Sequence, residues 1–103
     1  MSAGRARVLI FAAAPVDDAD AVGRAYHRIS RELAGTPGLI RNELLRDTTD
    51  GSRFVVMSEW ESLELFRNWE RGAAHKGTTA PLRPLQDGSR GAAFGIYEVA
   101  AAY

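Results

Sequence analysis

The sequence predicts an α+β fold in which one antiparallel sheet carries two helices on the same face, in the order β-α-β-β-α-β. Three observations predict it. Short apolar runs near both ends of the chain and two in its middle read as strands, and the two stretches between them repeat their apolar residues at helical spacing. A polar turn sequence joins the two middle strands directly, as antiparallel neighbours allow.

The first strand is predicted over Arg7 to Ala14, a continuous apolar run rich in Val, Leu, Ile and Phe that suits a strand covered on both faces. Pro15 ends it. The acidic residues Asp17, Asp18 and Asp20 then offer an N-cap and negative charge where a helix dipole is positive. Val22, Tyr26, Ile29 and Leu33 follow at steps of four, three and four, one stripe of a helix, which Gly35 and Pro37 stop. Gly38 to Arg46 and Arg53 to Trp60 read as a hairpin, with Asp50 and Gly51 expected to supply positive-φ positions in the turn over 47–51. Phe54, Val55, Val56 and Met57 are apolar on both faces, so the second hairpin strand is expected to be central.

Ser62 is placed to cap a second helix, with Glu64 in its first turn and Leu63, Phe66 and Trp69 on one side, and Gly72 ends it. Ala73 to Gly91, with three Gly and two Pro, reads as a long loop holding at most a turn of helix near Pro81 to Leu85. Loops of that length in small domains are often lids or binding loops. Ala92 to Ala100 is the last strand. The order of elements is the split βαβ, ferredoxin-like arrangement, with both helices on one sheet face. The other face is left bare, with Val8, Ile10, Val55 and Met57 expected to line it, and an apolar face of that size points to a homodimer packed sheet to sheet.

A chain of 103 residues fits one domain spanning 1–103 and buries roughly 60 to 70% of its unfolded surface, a thin core that a second copy would help. Thirteen basic residues balance thirteen acidic ones, so no nucleic-acid partner is implied. The absence of cysteine excludes disulfides, thiolate nucleophiles and Cys-ligated metals and fits a reducing cytoplasm. The basic start followed by Val8 to Ala14 meets acidic residues at once, so it reads as a strand rather than a signal peptide. No apolar run approaches the roughly 20 residues that span a membrane. Two histidines far apart in the sequence make no recognisable metal site.

The segment FVVMSEWESLELF at 54–66, continuing through Trp69 to AHK at 74–76, resembles the antibiotic biosynthesis monooxygenase superfamily, as does PGL at 37–39. The likeness covers nearly the whole chain in element order. It implies a dimeric α/β barrel and one of three chemistries: cofactor-free oxygenation of polyketide phenols, haem degradation, or a reaction that is not an oxidation. The quinone-forming branch has an Asn on the strand before Trp-Glu-Ser, that Trp, and a Tyr in the next helix; here those positions hold Val56, Trp60 and Phe66. The haem-degrading branch has an Asn on strand one, a Trp in the second helix and an iron-ligating His beyond it; here they hold Phe11, Trp69 and, at a shorter spacing, His75.

Trp60, Trp69 and His75 are thus the candidate catalytic residues, although each Trp is equally at home as a core anchor. Phe66 is a core residue that could also wall a pocket. One of Arg41 and Asn42, neighbours on the first hairpin strand, should face the helices and could orient a substrate. Tyr26 sits on the buried stripe with its hydroxyl free to reach a cleft, while His27 lies off it, on the surface. Arg71, Lys76, Arg83 and Arg90 outweigh Asp87 around the long loop, which would suit an anionic ligand, with Arg83 as a substrate contact; a solvated charge run is the duller reading. The function the resemblance implies is oxygenation of an aromatic polyketide phenol or enol by dioxygen, with no metal or flavin. Haem binding, or a non-oxidative cyclase, isomerase or ligand-binding dimer, stand as alternatives.

Overall fold

The computed structural model describes residues 4–72 and 75–103, with His75 and Lys76 described by their backbone alone. The elements run β1 (Ala6–Ala13), α1 (Ala21–Leu33), β2 (Leu39–Arg46), β3 (Arg53–Trp60), α2 (Leu63–Glu70), α3 (His75–Thr79), a 3-10 helix (Ala80–Leu85) and β4 (Phe94–Glu98). The sheet is antiparallel throughout, in the order β2-β3-β1-β4, so β1 and β3 are central as their apolar runs require. This is a ferredoxin-like α+β fold.

Helices cover one sheet face only. Val22, Ala25, Ile29 and Leu33 of α1 pack on Ala12, Phe54 and Val56, with Leu82 of the 3-10 helix closing that cluster. A second cluster joins Ala6, Val8 and Trp60 to Phe66 of α2. The even-numbered residues of β1 and β3 therefore face the helices. Val8 and Ile10, expected on the bare face, are on the covered one; the bare face carries Leu9, Phe11, Val55, Met57, Leu45 and Tyr97. Because β1 is apolar at both parities, its sequence alone does not say which set turns inward.

β2 enters the sheet through a bulge. Leu39 pairs with Trp60 and Arg41 with Glu59, which leaves Ile40 as the extra residue. Gly38, just before it, has φ +86°, and a Cβ there would lie 2.6 Å from the Leu65 Cβ, so this turn needs glycine both for its backbone and for its contact with α2. Its carbonyl accepts the Glu61 N–H at 2.8 Å, tying the start of β2 to the end of β3.

The ends of the helices differ from expectation in one case. Ser62 caps α2 as predicted, its hydroxyl accepting the Leu65 N–H at 3.1 Å. Asp20 holds the N-cap position of α1 but makes no side-chain cap bond, because its backbone (φ −97°, ψ 2°) is not extended as capping requires. Asp18 instead pairs with Arg24 in the first turn of the helix.

The hairpin turn also works differently from the expected positive-φ pair, since Gly51 is not left-handed. Side chains shape it. Asp47 Oδ1 accepts the Thr49 N–H at 2.8 Å and the Thr49 hydroxyl at 2.7 Å, while Asp50 Oδ1 accepts the Ser52 N–H at 3.0 Å. Beyond α2, the segment read as a loop holds α3 in addition to the expected helical turn, which is a 3-10 helix with Pro81 and Pro84 inside it. Ala73 and Ala74 lie outside the described residues. After that helix the chain returns along β1, where Asp87 N–H donates to the Phe11 carbonyl and Phe11 N–H to the Ala93 carbonyl, both at 2.8 Å. β4 is shorter than expected because these bonds pin 86–93 as irregular backbone before strand pairing begins.

Candidate active site

Between the covered sheet face and the helices lies a cavity of about 300 Å³, the lower end of the size range of small-molecule sites. Its sheet wall is built by alternation: Val8 and Ile10 from β1, Val56 and Ser58 from β3, Asn42 from β2 and Phe94 from β4 all point the same way. α1 contributes Tyr26, Ile29 and Ser30 to the opposite wall, and Thr79, Arg83 and Gln86 come from the segment that follows α2.

One end of the cavity is aromatic. Trp60 is 1% exposed, and its ring centroid lies 5.4 Å from that of Phe66, edge to face, and 5.4 Å from that of Trp69. Phe66 and Trp69 are 6.1 Å apart, which closes the triangle. Leu63-type spacing in α2 brings the two rings onto Trp60 at the end of β3, so the same three residues serve the core and wall the cavity. The indole N–H of Trp60 is spent inside the protein, donating to Ser58 Oγ at 2.9 Å.

The polar groups lie on the sheet and on α1. Tyr26 Oη donates to the Asn42 carbonyl at 3.2 Å, and Ser30 Oγ donates to Asn42 Oδ1 at 3.0 Å. Both bonds tie α1 to β2 across the cavity. Tyr26, Asn42, Trp60, Phe66, Trp69 and Arg83 thus meet at one cavity, as the sequence reading required of them. Arg41 does not. The bulge at Ile40 turns Arg41 to the bare face, where it pairs with Glu59 at 3.4 Å, beside Arg7 at 3.3 Å from the same carboxylate. His75 heads α3, and its side chain lies outside the described residues.

Of the expected cationic loop, Arg90 pairs with Asp47 at 2.8 Å and Arg71 donates to Asn68 Oδ1 at 2.6 Å, both away from the cavity. Arg83 alone of the described members reaches the lining, its guanidinium 3.5 Å from Thr79 Oγ1. Ser30 and Ser58 were missed by sequence reading. Ser58 could have been found from parity, since it is two residues before Trp60 on the same strand face, whereas Ser30 sits among polar neighbours and carries no such signal.

A haem would need an axial ligand in this cavity, and among the described residues no histidine or methionine lines it. The described lining therefore does not form a haem site. No helix among the described residues is long and apolar enough to cross a membrane.

A two-layer α+β domain with an apolar, aromatic-walled cavity under one sheet face defines the class: a small-molecule site in a ferredoxin-like fold. The chain belongs to the antibiotic biosynthesis monooxygenase family, whose model matches residues 6–80. It is 29% identical over 72 residues to protein SchA of Streptomyces halstedii, a match covering 70% of this chain and 19% of that protein. It is also 37% identical over 60 residues to the mycobilin-producing heme oxygenase of Mycobacterium tuberculosis, covering 55% of this chain and 56% of that one. The chain therefore spans about a fifth of one curated relative and just over half of the other. In structure it resembles SnoaB of Streptomyces nogalater, a cofactor-independent oxygenase, with a TM-score of 0.79, 17% identity and 97% coverage of each chain.

Proposed function

We propose that this protein is a cofactor-independent monooxygenase that oxidises an electron-rich polycyclic phenol or enol of the polyketide type in antibiotic biosynthesis. The observation that carries the reading is the cavity itself. Its walls are apolar and aromatic, its few polar groups are uncharged apart from Glu70 and Arg83, and Trp60, Phe66 and Trp69 offer flat surfaces for a fused ring. Membership of the family and the likeness in fold to SnoaB support it.

In this mechanism the substrate supplies every electron. His75 is the proposed base, since it stands four residues before Thr79 in α3 and Thr79 lines the cavity. It removes a C–H proton from the ring carbon to be oxidised, and the electron pair stays on the substrate as a carbanion conjugated with the phenol oxygen. One electron passes to dioxygen, and the carbon radical and superoxide combine to form the C–O bond. The peroxide takes a proton back from the base. Loss of the second C–H proton then breaks the O–O bond, hydroxide leaves as water, and a quinone carbonyl remains. The four-electron oxidation of the carbon balances the four-electron reduction of dioxygen. The protein's part is to hold the ring still and keep water from the carbanion.

We further propose that the chain works in the cytoplasm as a homodimer formed through the bare sheet face. Leu9, Phe11, Val55 and Met57 make that face apolar, and Leu45 and Tyr97 stand about half exposed on it.

Titration of the purified protein with haem, followed by absorbance, tests cofactor independence, with His75→Ala as control. The expected result is no stoichiometric Soret shift. A stoichiometric shift that His75→Ala abolishes would replace this reading with a haem enzyme.

A further inference from the structure

Two hydrogen-bond donors stand side by side on the sheet wall of the cavity without an acceptor. Asn42 and Ser58 are direct cross-strand partners in the β2–β3 register, and both line the cavity. Their remaining bonds are already assigned. Ser58 Oγ accepts the Trp60 indole N–H at 2.9 Å, which leaves its own hydroxyl proton to donate elsewhere. Asn42 Oδ1 accepts the Ser30 hydroxyl at 3.0 Å, which sets the amide with its NH₂ group on the other side. Neither the Ser58 proton nor the Asn42 Nδ2 group has a partner among the described residues.

A half-buried donor in an apolar cavity costs free energy until it meets an acceptor. Directly opposed residues in an antiparallel pair have Cβ atoms about 5 Å apart, close enough for both side chains to reach one atom at ordinary hydrogen-bond length. The bulge at Ile40 matters here, because it is what turns Asn42, and not Arg41, toward the cavity beside Ser58. An amide and a hydroxyl then face the ligand where a guanidinium would otherwise have stood.

We propose that Asn42 and Ser58 form a two-donor seat for one oxygen of the ligand, the phenol or enol oxygen whose conjugated carbon is oxidised. The assignment rests on the aromatic-substrate reading and deepens it. When the ring loses its proton, charge is delocalised onto that oxygen, and two fixed donors in a dry cavity stabilise it there. Ser30 and Trp60 act as positioning residues: the first holds the amide, the second turns the hydroxyl. The seat makes the site specific for an aromatic that carries oxygen, because a ligand without one leaves both donors unpaired.

Binding of 1-naphthol and of 1-methylnaphthalene, the latter similar in shape but lacking the oxygen, tests this without requiring turnover. The wild type is expected to bind 1-naphthol about tenfold more tightly or better. Bound 1-naphthol, followed by its naphtholate absorbance, should ionise at lower pH than it does free in solution. Asn42→Asp keeps the oxygen that Ser30 needs and replaces the donor with an acceptor. It should erase the preference and the ionisation shift while leaving the affinity for 1-methylnaphthalene unchanged. Ser58→Ala should do the same in part, and Ser58→Thr, which restores a hydroxyl, should recover it. Variants that hold 1-methylnaphthalene normally yet keep both the preference and the shift would overturn the seat. If the wild type binds neither compound, the aromatic cavity reading fails and the seat fails with it.

Discussion

Trp60 does three jobs at one position. It is 1% exposed in the core, it anchors the aromatic triangle, and its N–H fixes Ser58. Trp60→Ala should therefore cost about 3–5 kcal/mol of stability, as large aromatic truncations do, and urea denaturation would show it as a lowered midpoint. Gly38 is the other residue with little latitude. Gly38→Ala asks for a left-handed backbone that costs about 1–2 kcal/mol and drives a Cβ into Leu65, so it should destabilise more than an alanine at Gly23, which meets nothing within 4 Å. Equal midpoints for the two variants would contradict the close approach of β2 and α2. Asn42 shows what sequence reading lacked at this scale. Strand alternation says that one of Arg41 and Asn42 faces the cavity, and only the bulge at Ile40 says which.

Among the elements, α2 and the β2–β3 hairpin carry their instructions most openly. The cap Ser62 and the spacing of Phe66 and Trp69 were enough to place α2 and its buried side, and Ser62→Ala should lower stability by about 1 kcal/mol in thermal or urea denaturation. The hairpin turn was legible as a turn but not in its mechanism, because carboxylates replace the left-handed backbone that Asp50 and Gly51 suggested. Asp47 lies well below the usual carboxylate range, held there first by the Thr49 hydroxyl, then by the Thr49 N–H and the Arg90 guanidinium. A lowered folded value means that the turn contributes stability above about pH 4, the unfolded value, and loses it as pH falls toward the folded one. Denaturation curves should show the wild type exceeding Asp47→Asn at neutral pH and the gap closing in acid. A gap that stays constant down to about pH 2 would remove Asp47 from the account. The segment after α2 was the least legible element. α3 is five residues long, with glycine and two threonines and no apolar stripe, so tertiary contact with α1 and not helix propensity forms it.

At the scale of the whole molecule, the smallest extent of 21 Å is what one sheet and one layer of helices occupy, and the sheet's second face has no layer on it. Its two-sided apolar strands announced that face from sequence, although the parity assigned to β1 was inverted. If two copies meet there, Val55→Lys should convert a dimer to a monomer in sedimentation and leave 1-naphthol binding nearly intact. A wild type that is monomeric at every concentration would sink the dimer. The covered face holds the central claim, that an apolar cavity walled by Trp60, Phe66 and Trp69 lets a bound phenol react with dioxygen by itself. The most direct test is oxygen uptake by metal-stripped, haem-free protein given 1,8-dihydroxyanthrone in the presence of a chelator. The account predicts one dioxygen consumed per quinone formed, no product under nitrogen, and a much slower rate with His75→Ala. Uptake no faster than in protein-free buffer, or uptake that appears only when haem or metal is added, would contradict it.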